Sequence, residues 1–443
     1  MDEPTQSVRV LEICNIPPRD PNSVKDSLPL TFFDLLWLRN PPSRRLFFFH
    51  YPCSLHCFSQ SVLPRLKQSL SAALNPYPHL AGNVTWDKDE KIPTLHYFPG
   101  DAVSVTIAEA TTAVDFHRIS TKEDLCGVDN LFSLLPPLSV SPERAAVMAL
   151  QITLFPNNGF SIGYTTNHAV IDGKTTALFM KSWAWFCRSG GDTTSLPADL
   201  TPFYDRKNLK NLDEAYLAHY EGESNKTLMK REINSLPDMV IGNFMLTSAD
   251  LEKIKISLKH LNTRITNFMA AAAYTWTCSV RAQDVGNSKN VNLVIPVDCR
   301  NRSESGSIPP TYFGNCIGPL IVSASRKDLT GGNGLETAAK VMIEGFDRKV
   351  FGREERWLPE LMDACHEIVY AVAGSPRFGL YEVDFGWGRP RNVQLVWNRS
   401  RIFHFQDAAG DANDGGIEIS MVMGKTEILT FSSLFITCLD ALS

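Results

Sequence analysis

The sequence predicts an α/β (α+β) fold built as two domains. Its 443 residues exceed what one small core usually holds, so more than one domain is expected. Segments with strand-like and helix-like hydrophobic patterns interleave in both halves of the chain, which favours mixed layers of sheet and helix. A polar stretch containing glycine and proline lies between the halves. We therefore expect domains at 1–188 and 237–443, joined by a crossover linker at 189–236.

In the first half, hydrophobic patterning predicts four strands and two helices. Alternating or short continuous apolar runs predict the strands, and a turn of sequence Pro-Asn-Asn-Gly at 156–159 joins the last two as a hairpin. Apolar residues on one face predict a helix at Phe58–Asn75, and a second helix should run from Asp172 to Arg188. The predicted strands are Val8–Cys14, Leu46–Tyr51, Ala145–Phe155 and Phe160–His168.

The second half repeats this alternation of strands and helices. Short apolar runs predict the strands, and longer segments of helical periodicity predict the helices. The predicted helices are Ser248–His260, Thr266–Val280, Leu335–Lys349, Trp357–Ala373 and a C-terminal helix. The predicted strands are Val291–Val297, Tyr312–Ser325, Val393–Trp397 and Ile417–Met423.

Composition and charge exclude several functional classes. Hydrophobic residues make up 44% and charged residues 21% of the chain, as in globular proteins. A net charge of −5 argues against nucleic-acid binding, and no apolar run reaches the ~18 residues of a membrane span. The ten cysteines lack metal-type spacing, so we expect no metal site. The start of the chain lacks a signal-peptide pattern, so we expect a cytoplasmic protein with reduced thiols.

His168 is the first candidate catalytic residue. A neutral imidazole is a competent general base near neutral pH, and His168 follows a predicted strand at the point where a helix begins. Asp172, four residues on, is a further candidate catalytic residue, but capping of that helix or an ion pair is the favoured explanation of it. An HxxxD match is expected about 0.5 times by chance in a chain of this composition. Taken alone, His168 is therefore also explained as a buried, hydrogen-bonded core histidine.

A second motif, Asp384–Gly388 (Asp-Phe-Gly-Trp-Gly), strengthens the functional interpretation. These five residues in this order have roughly one chance in ten thousand of arising at random anywhere in a chain of this length and composition. The two glycines flanking a tryptophan indicate a tight loop with positive φ angles. Asp384 is a candidate catalytic carboxylate, but glycine-rich loops more often organise backbone, and that role is the favoured alternative.

Taken together, these motifs resemble the BAHD acyltransferase family of plants. The HxxxD and DFGWG patterns of that family match His168–Asp172 and Asp384–Gly388, in the same order and with similar separation. Tyr312–Cys316 resembles the YFGNC signature of the anthocyanin and flavonoid-glycoside branch. Leu28–Asp34, with Trp37, is similar to the N-terminus of that branch. The resemblance extends over nearly the whole chain, from Val10 to Pro390.

The resemblance implies two chloramphenicol-acetyltransferase-like domains with a channel between them. The catalytic histidine lies at the centre of that channel, and coenzyme A (CoA) and the acceptor enter from opposite faces. The resemblance further implies that Asp172 points away from the channel and pairs with an arginine, for which Arg300 is the candidate. We expect Thr31, Asp34 and Trp37 to bind the substrate.

The expected CoA site includes Lys253, Lys255, Thr266, Asn267 and Arg300. The two lysines, with Lys259 and Arg264 beyond them, recur at near-helical spacing; a basic patch would bind the CoA phosphates, although a solvated helix face explains the same pattern. The family often has Thr-Ser-Phe where this chain has Thr266-Asn267-Phe268, so an amide must serve there in place of a hydroxyl.

The expected reaction is acyl transfer from a CoA thioester to a hydroxyl group, with His168 as the base. No G-x-S-x-G elbow is present, so direct attack in a ternary complex is simpler than a covalent serine intermediate. The family branch favours malonyl-CoA, whose carboxylate a cation would bind. Lys174, Lys181 and Arg377 are the candidates for that cation, and each is also explained as a surface charge.

Other assignments stay open at this point. Hydroxycinnamoyl-CoA is the alternative donor, and a flavonoid, anthocyanin or other phenolic glucoside is the expected acceptor. A transferase acting on a shikimate or polyamine acceptor is a rival within enzymes, and a catalytically silent small-molecule binding protein is a rival outside them. An enzyme of this size with a channel has no evident need to assemble, so we expect a monomer.

Overall fold

The computed structural model describes most of the chain, and every structural statement below concerns the residues that it describes. These residues are 7–20, 27–87, 89–112, 114–122, 125–190, 195–207, 209, 211–221, 226–230, 238–283, 289–300, 308–348, 352–409 and 415–442. Strands and helices interleave over both halves. The predicted α/β class is therefore confirmed.

The strands and helices have the following bounds. In chain order the strands are β1 Val8–Ile16, β2 Leu28–Pro29, β3 Ser43–His50, β4 Asn83–Thr85, β5 Thr94–His96, β6 Val103–Ala110, β7 Cys126–Gly127, β8 Arg144–Ala146, β9 Met148–Phe155, β10 Gly159–Thr166, β11 Met239–Leu246, β12 Asn290–Asp298, β13 Ile317–Ser325, β14 Ile368–Gly374, β15 Asn392–Leu395, β16 Ile402–Asp407 and β17 Ile417–Gly424. The α-helices are α1 Phe32–Leu35, α2 Leu55–Cys57, α3 Leu63–Leu74, α4 Phe116–Thr121, α5 Val128–Phe132, α6 Gly173–Arg188, α7 Asp213–Glu221, α8 Ser248–Ser257, α9 Asn267–Ala282, α10 Arg326–Thr330, α11 Gly334–Asp347, α12 Trp357–Ala364 and α13 Lys425–Asp440.

Two large sheets and one small sheet organise the fold. The first large sheet has the order β1-β6-β9-β10-β3-β15, and the second has the order β13-β12-β14-β16-β17-β11-β7. The small sheet is β2-β5-β4-β8. Strand β15 belongs to the second half of the chain but pairs with β3, and β7 belongs to the first half but pairs with β11. The two halves are therefore joined by backbone hydrogen bonds as well as by the linker.

The linker packs closely on the rest of the protein. The backbone amide of Phe203 donates to the carbonyl of Thr311 at 2.9 Å, and the Tyr204 hydroxyl donates to the Pro76 carbonyl at 2.8 Å. Helix α7 buries Tyr216 and Leu217 in the first hydrophobic core. The predicted long connector thus forms part of the folded body wherever it is described.

The central hairpin of the first sheet follows its predicted pattern. All eight residues of β9 and all eight of β10 are buried, as the nearly continuous apolar runs of a strand covered on both faces predict. Helix α3 begins at Leu63, and a π-helical turn at Phe58–Val62 precedes it.

Within the described residues, no helix combines the length and the apolar character that crossing a membrane requires.

Part of the secondary-structure prediction was wrong in the second half. The helix predicted at Trp357–Ala373 ends at Ala364, and Ile368–Gly374 instead forms β14, which pairs in parallel with β12 and β16. Strands β11 and β16 of this half were not predicted, nor was β6 in the first half. Short apolar runs do not distinguish a buried strand from a helix, and their pairing partners lie far away in sequence.

Candidate active site

His168 lies in the turn between β10 and α6. Strand β10 ends at Thr166, where the last pairs with its neighbours are made, and α6 begins at Gly173. Asp172 is the N-cap of α6, and its carboxylate accepts a hydrogen bond from the Thr175 backbone amide at 2.9 Å. A side-chain cap of this kind satisfies one of the free amides at a helix start. The cap therefore fixes the turn that carries His168.

The His168 ring stacks on Trp37. Their ring centroids are 4.2 Å apart and the ring planes differ by 11°. Burial lowers the pKa of His168 below its usual value, because a low-dielectric environment disfavours the charged imidazolium. Its Nδ1 atom is buried and has no hydrogen-bond partner among the described residues. The ring is therefore held in its neutral form, as a general base requires.

The Asp172 carboxylate forms a buried ion pair with Arg300. Arg300 Nη1 lies 2.8 Å from Asp172 Oδ2, and Nη2 lies 3.2 Å from Oδ1. Burial alone would raise the pKa of the Asp172 carboxyl, but the Arg300 guanidinium and the backbone donors hold that pKa below its usual value. The expected pairing of Asp172 with Arg300 is confirmed. The Arg300 side chain is fully buried, so these contacts support a structural role for Arg300 in place of the expected CoA contact.

The segment Tyr312–Cys316 completes the cage around this ion pair. Arg300 Nη2 donates to the carbonyls of Tyr312 and Gly314, each at 3.1 Å. The Cys316 amide donates to Asp172 Oδ2 at 3.1 Å. Asp172 thus receives four donors on two oxygen atoms, which suits an ionised buried carboxylate.

Asn315 links this cage to the histidine. Its side-chain amide donates to the His168 carbonyl at 2.9 Å and to Asp34 Oδ1 at 3.0 Å. Asn315 belongs to the segment that resembles the family signature, but it was not predicted as a site residue. Only its position in the family motif could have indicated it, since nothing in the local spacing predicts a contact with His168.

Asp34 and Thr31 hold the segment that carries Trp37. The Asp34 carboxylate is fully buried; its Oδ1 accepts from the Asn315 amide at 3.1 Å, and its Oδ2 accepts from both the backbone amide and the hydroxyl of Thr31 at 3.0 Å. The two residues form a capping box at the start of α1. These contacts support a positioning role for Thr31 and Asp34 in place of the expected substrate contact, whereas Trp37 itself lies against His168.

The Asp384–Gly388 loop closes on the other end of α6. The Asp384 carbonyl accepts from Arg188 Nη1 at 2.6 Å, and Arg188 is the last residue of the helix. Sixteen residues of α6 span about 24 Å at 1.5 Å per residue, which separates Asp384 from Asp172 at the helix start. The Asp384 carboxylate is therefore remote from His168, and the backbone-organising role is the one that its contacts support.

The interior of that loop is held by aromatic and hydrogen-bonded contacts. Asp384 Oδ1 accepts from the amides of Gly386 and Gly388 at 2.7 and 3.0 Å, and both glycines have a positive φ. Phe385 is fully buried, with its ring centroid 4.9 Å from that of Trp183 on α6. The loop thus attaches the far end of the helix to the core.

The residues expected to bind CoA lie at the start of α9 and on α8. Thr266 caps α9, accepting from the Met269 amide at 3.2 Å, and Asn267 Nδ2 donates to the Gly415 carbonyl at 3.1 Å. Lys255 pairs with Glu252 at 2.7 Å, and Lys253 donates to the Leu439 carbonyl at 3.4 Å. These four residues share one region of the second half and remain predicted CoA ligands.

The cations expected to bind a donor carboxylate are in different environments. Lys174 pairs with Asp298, and Lys181 pairs with Glu382, each at 3.1 Å. Arg377 is exposed to solvent. Two of the three candidates are thus already neutralised by the protein's own carboxylates.

Comparison with known proteins gives consistent matches along the whole chain. The model described as "Transferase family" matches residues 7–435. Phenolic glucoside malonyltransferase 2 of Arabidopsis thaliana is 34% identical, covering 97% of this chain and 98% of the relative. An anthocyanin 5-O-glucoside-6'''-O-malonyltransferase of Salvia splendens is 32% identical, covering 97% and 95%.

A solved structure shares the fold. The crystal structure of vinorine synthase matches with a TM-score of 0.72 at 17% identity and covers 96% of both chains. This similarity agrees with the expected pair of chloramphenicol-acetyltransferase-like domains. At that level of identity it describes the architecture alone.

Proposed function

Because this chain belongs to the Transferase family, that of the BAHD acyltransferases, we propose that it moves a malonyl group from malonyl-CoA to a sugar hydroxyl of a phenolic glucoside. The protein is an acyltransferase, and an acyl-CoA is its co-substrate. The malonyl donor and the glucoside acceptor are supported by the relatives named above, which are malonyltransferases of phenolic and anthocyanin glucosides.

The observation that carries the chemistry is the state of His168. The ring is partly buried and lies against Trp37 in the turn that follows β10, and burial lowers its pKa so that it is neutral near neutral pH. In the proposed step, the imidazole takes the proton of the sugar hydroxyl while its oxygen attacks the thioester carbonyl carbon. The C–O bond forms, the C–S bond breaks, and the proton passes to the leaving thiolate.

The neighbours of His168 support this role by holding its position. Asp172 caps α6 and pairs with Arg300, and Asn315 holds the His168 main chain. Neither the Asp172 nor the Asp384 carboxylate is required as a second base, because the proton needs only one acceptor before it reaches the thiolate. A general base misplaced by about 1 Å can lose a hundredfold in rate, so positioning residues of this kind matter for catalysis.

The remaining assignments complete the proposal. CoA would approach the start of α9, where Thr266 and Asn267 lie, with Lys253 and Lys255 at the edge of the site. The helix terminus supports this placement because free amides and the helix dipole favour phosphate groups there. Trp37 would pack on the acceptor, with Arg377 as a further substrate contact. We also propose that the enzyme acts as a cytoplasmic monomer.

A donor and acceptor panel tests the proposed substrates. The enzyme is incubated with malonyl-CoA, acetyl-CoA or coumaroyl-CoA and a set of phenolic, flavonoid and anthocyanin glucosides, while free thiol is measured. We expect thiol release with malonyl-CoA and a glucoside. Turnover with coumaroyl-CoA alone would establish the hydroxycinnamoyl alternative, and binding without turnover of any donor would indicate a catalytically silent protein.

Replacement of the base tests the mechanism. His168→Ala should lower kcat by about 10²–10⁴-fold, the usual contribution of a positioned base, whereas His117→Ala, an exposed histidine on α4, should leave it unchanged. Because the folded pKa of His168 is lowered, the neutral form persists below the usual range, so wild-type kcat/KM should begin to fall only below about pH 6.5. A His168→Ala enzyme that releases thiol at the wild-type rate would exclude the base assignment.

A further inference from the structure

The linker carries a cationic side chain to the catalytic histidine. Its segment 226–230 is held in place: the Leu228 amide donates to the Pro142 carbonyl at 2.7 Å, and Arg39 Nε donates to the Thr227 carbonyl at 3.3 Å. Leu228 is buried in the first hydrophobic core. Arg39 lies two residues after Trp37, which stacks on His168. Lys230 therefore ends a segment that is anchored to the chain just after Trp37.

The Lys230 ammonium is buried and has no hydrogen-bond partner among the described residues. It is close enough to His168 for its positive charge to contribute to the lowered pKa of that ring. Burial, and then the positive charge of Arg44, lower the pKa of Lys230 to about 7. No described carboxylate compensates these effects, which is unusual for a buried lysine.

Arg44 shows that the surroundings of Lys230 are positively charged. It lies on β3 beside Ser43, whose partner in the sheet is Thr166 at the end of β10. Its guanidinium packs over the Phe132 ring at 5.2 Å from the ring centre. A buried cation next to a second cation is costly unless an anion joins them. The two charges therefore mark a place for an anionic group that the protein itself does not supply.

We propose that Lys230 binds the carboxylate of the malonyl donor and thereby selects malonyl-CoA over neutral acyl-CoA thioesters. This inference rests on the proposed malonyl transfer. In a malonyl thioester, the carboxylate carbon is separated from the reacting carbonyl carbon by one methylene group, so its binding cation must lie close to the catalytic base. Lys230 meets that requirement, whereas Lys174 and Lys181 are already paired with Asp298 and Glu382.

The alternative role for Lys230 is stabilisation of the tetrahedral oxyanion. Every acyl donor forms that oxyanion, but only a dicarboxylic donor carries the second anionic group. The two roles therefore differ in their dependence on the donor. An arriving carboxylate would also favour the protonated ammonium of Lys230, whose pKa burial and Arg44 lower.

The test compares malonyl-CoA with acetyl-CoA, which lacks the carboxylate, in full-length variants. Lys230→Met should lower kcat/KM for malonyl-CoA by about 10- to 100-fold, as expected for a lost charge-assisted hydrogen bond, and change kcat/KM for acetyl-CoA by less than about threefold. Lys230→Arg keeps the charge and should retain the preference for malonyl-CoA. Lys226→Met is the matched control, since this exposed lysine lies on the same segment and donates to the Glu90 carbonyl.

Each outcome decides between the roles. If Lys230→Met lowers kcat/KM equally for malonyl-CoA and acetyl-CoA, carboxylate binding is overturned, and Lys230 stabilises the oxyanion or has a purely structural role. If Lys230→Met changes kcat/KM for neither donor, carboxylate binding is overturned as well. Wild-type enzyme without any preference for malonyl-CoA would instead refute the proposed donor. Lys230→Gln repeats the comparison with a polar side chain if the methionine variant does not fold, which the thermal unfolding midpoint reports.

Discussion

An aspartate lies at each end of helix α6, and the two differ in burial and in the hydrogen bonds that they accept. Asp172, at the start, is buried and receives four donors on both of its carboxylate oxygens. Asp384, at the far end, is half-buried, and the amides of Gly386 and Gly388 both donate to one of its oxygens, Oδ1. The first site is a paired buried charge, and the second is a hydrogen-bonded loop.

The two motifs, so far apart in sequence, hold opposite ends of one helix. The turn before α6 holds His168, while the Asp384–Gly388 loop attaches the end of the same helix through Arg188 and Phe385. The second motif therefore influences the histidine only through the helix. What distinguishes the two carboxylates is burial, because an unpaired charge is costly only where water cannot reach it.

The largest expected effect comes from Asp172→Asn. The new amide group cannot accept the hydrogen bonds that one oxygen now receives, and it leaves the buried Arg300 guanidinium with the partly exposed Asp298 carboxylate, 3.2 Å from Nη1, in place of its buried ion pair. Breaking a buried pair in this way costs about 3–5 kcal/mol. We expect a lower urea midpoint, a lower yield of folded protein and a loss of kcat, because the turn carrying His168 loses its cap.

The pH dependence sharpens this expectation. The folded pKa of Asp172 is lowered, so its ionisation stabilises the fold above the unfolded pKa of about 3.9, and this stabilisation is lost as the pH falls through the folded value. The difference in unfolding free energy between wild type and Asp172→Asn should therefore narrow in acid. If the difference in unfolding free energy does not change with pH, the buried charge of Asp172 is not the source of that difference.

Asp384→Ala should have a smaller effect. It removes the acceptor of two backbone amides in the loop, which costs about 1–3 kcal/mol, while Phe385 and the Arg188 contact to the main chain stay in place. We expect a lower thermal midpoint and a modest fall in kcat, with KM for both substrates unchanged. A loss of activity as large as that of His168→Ala, at a normal thermal midpoint, would restore the catalytic interpretation of Asp384.

The sequence predicted those features that local patterns determine. The hairpin before His168 and helix α6 follow from hydrophobic periodicity, and the Asp172–Arg300 pair followed from the resemblance to the family. Strand β14 was missed because its pairing partners, β12 and β16, lie far from it along the chain. A short apolar segment becomes a strand or a helix according to such distant partners.

The site was predicted less completely than the fold. Lys230 was missed because a charged residue in a polar linker has no local feature that distinguishes it from a solvated one; only the fold buries it beside His168. Thr31 and Asp34 were expected to contact substrate, but their polar atoms are used within the protein. Residue type and position in a motif thus indicate that a residue matters without stating what it contacts.

The smallest expected effect, that of Asp384→Asn, is the sharpest test of the comparison between the two aspartates. Since both loop amides bind one oxygen, the asparagine amide oxygen can accept them both, and stability should fall by less than about 1 kcal/mol. The same substitution at Asp172 is expected to cost several times more. Measuring both variants in urea separates the roles: equal losses would show that charge matters at both ends of α6, and the distinction based on burial would be wrong.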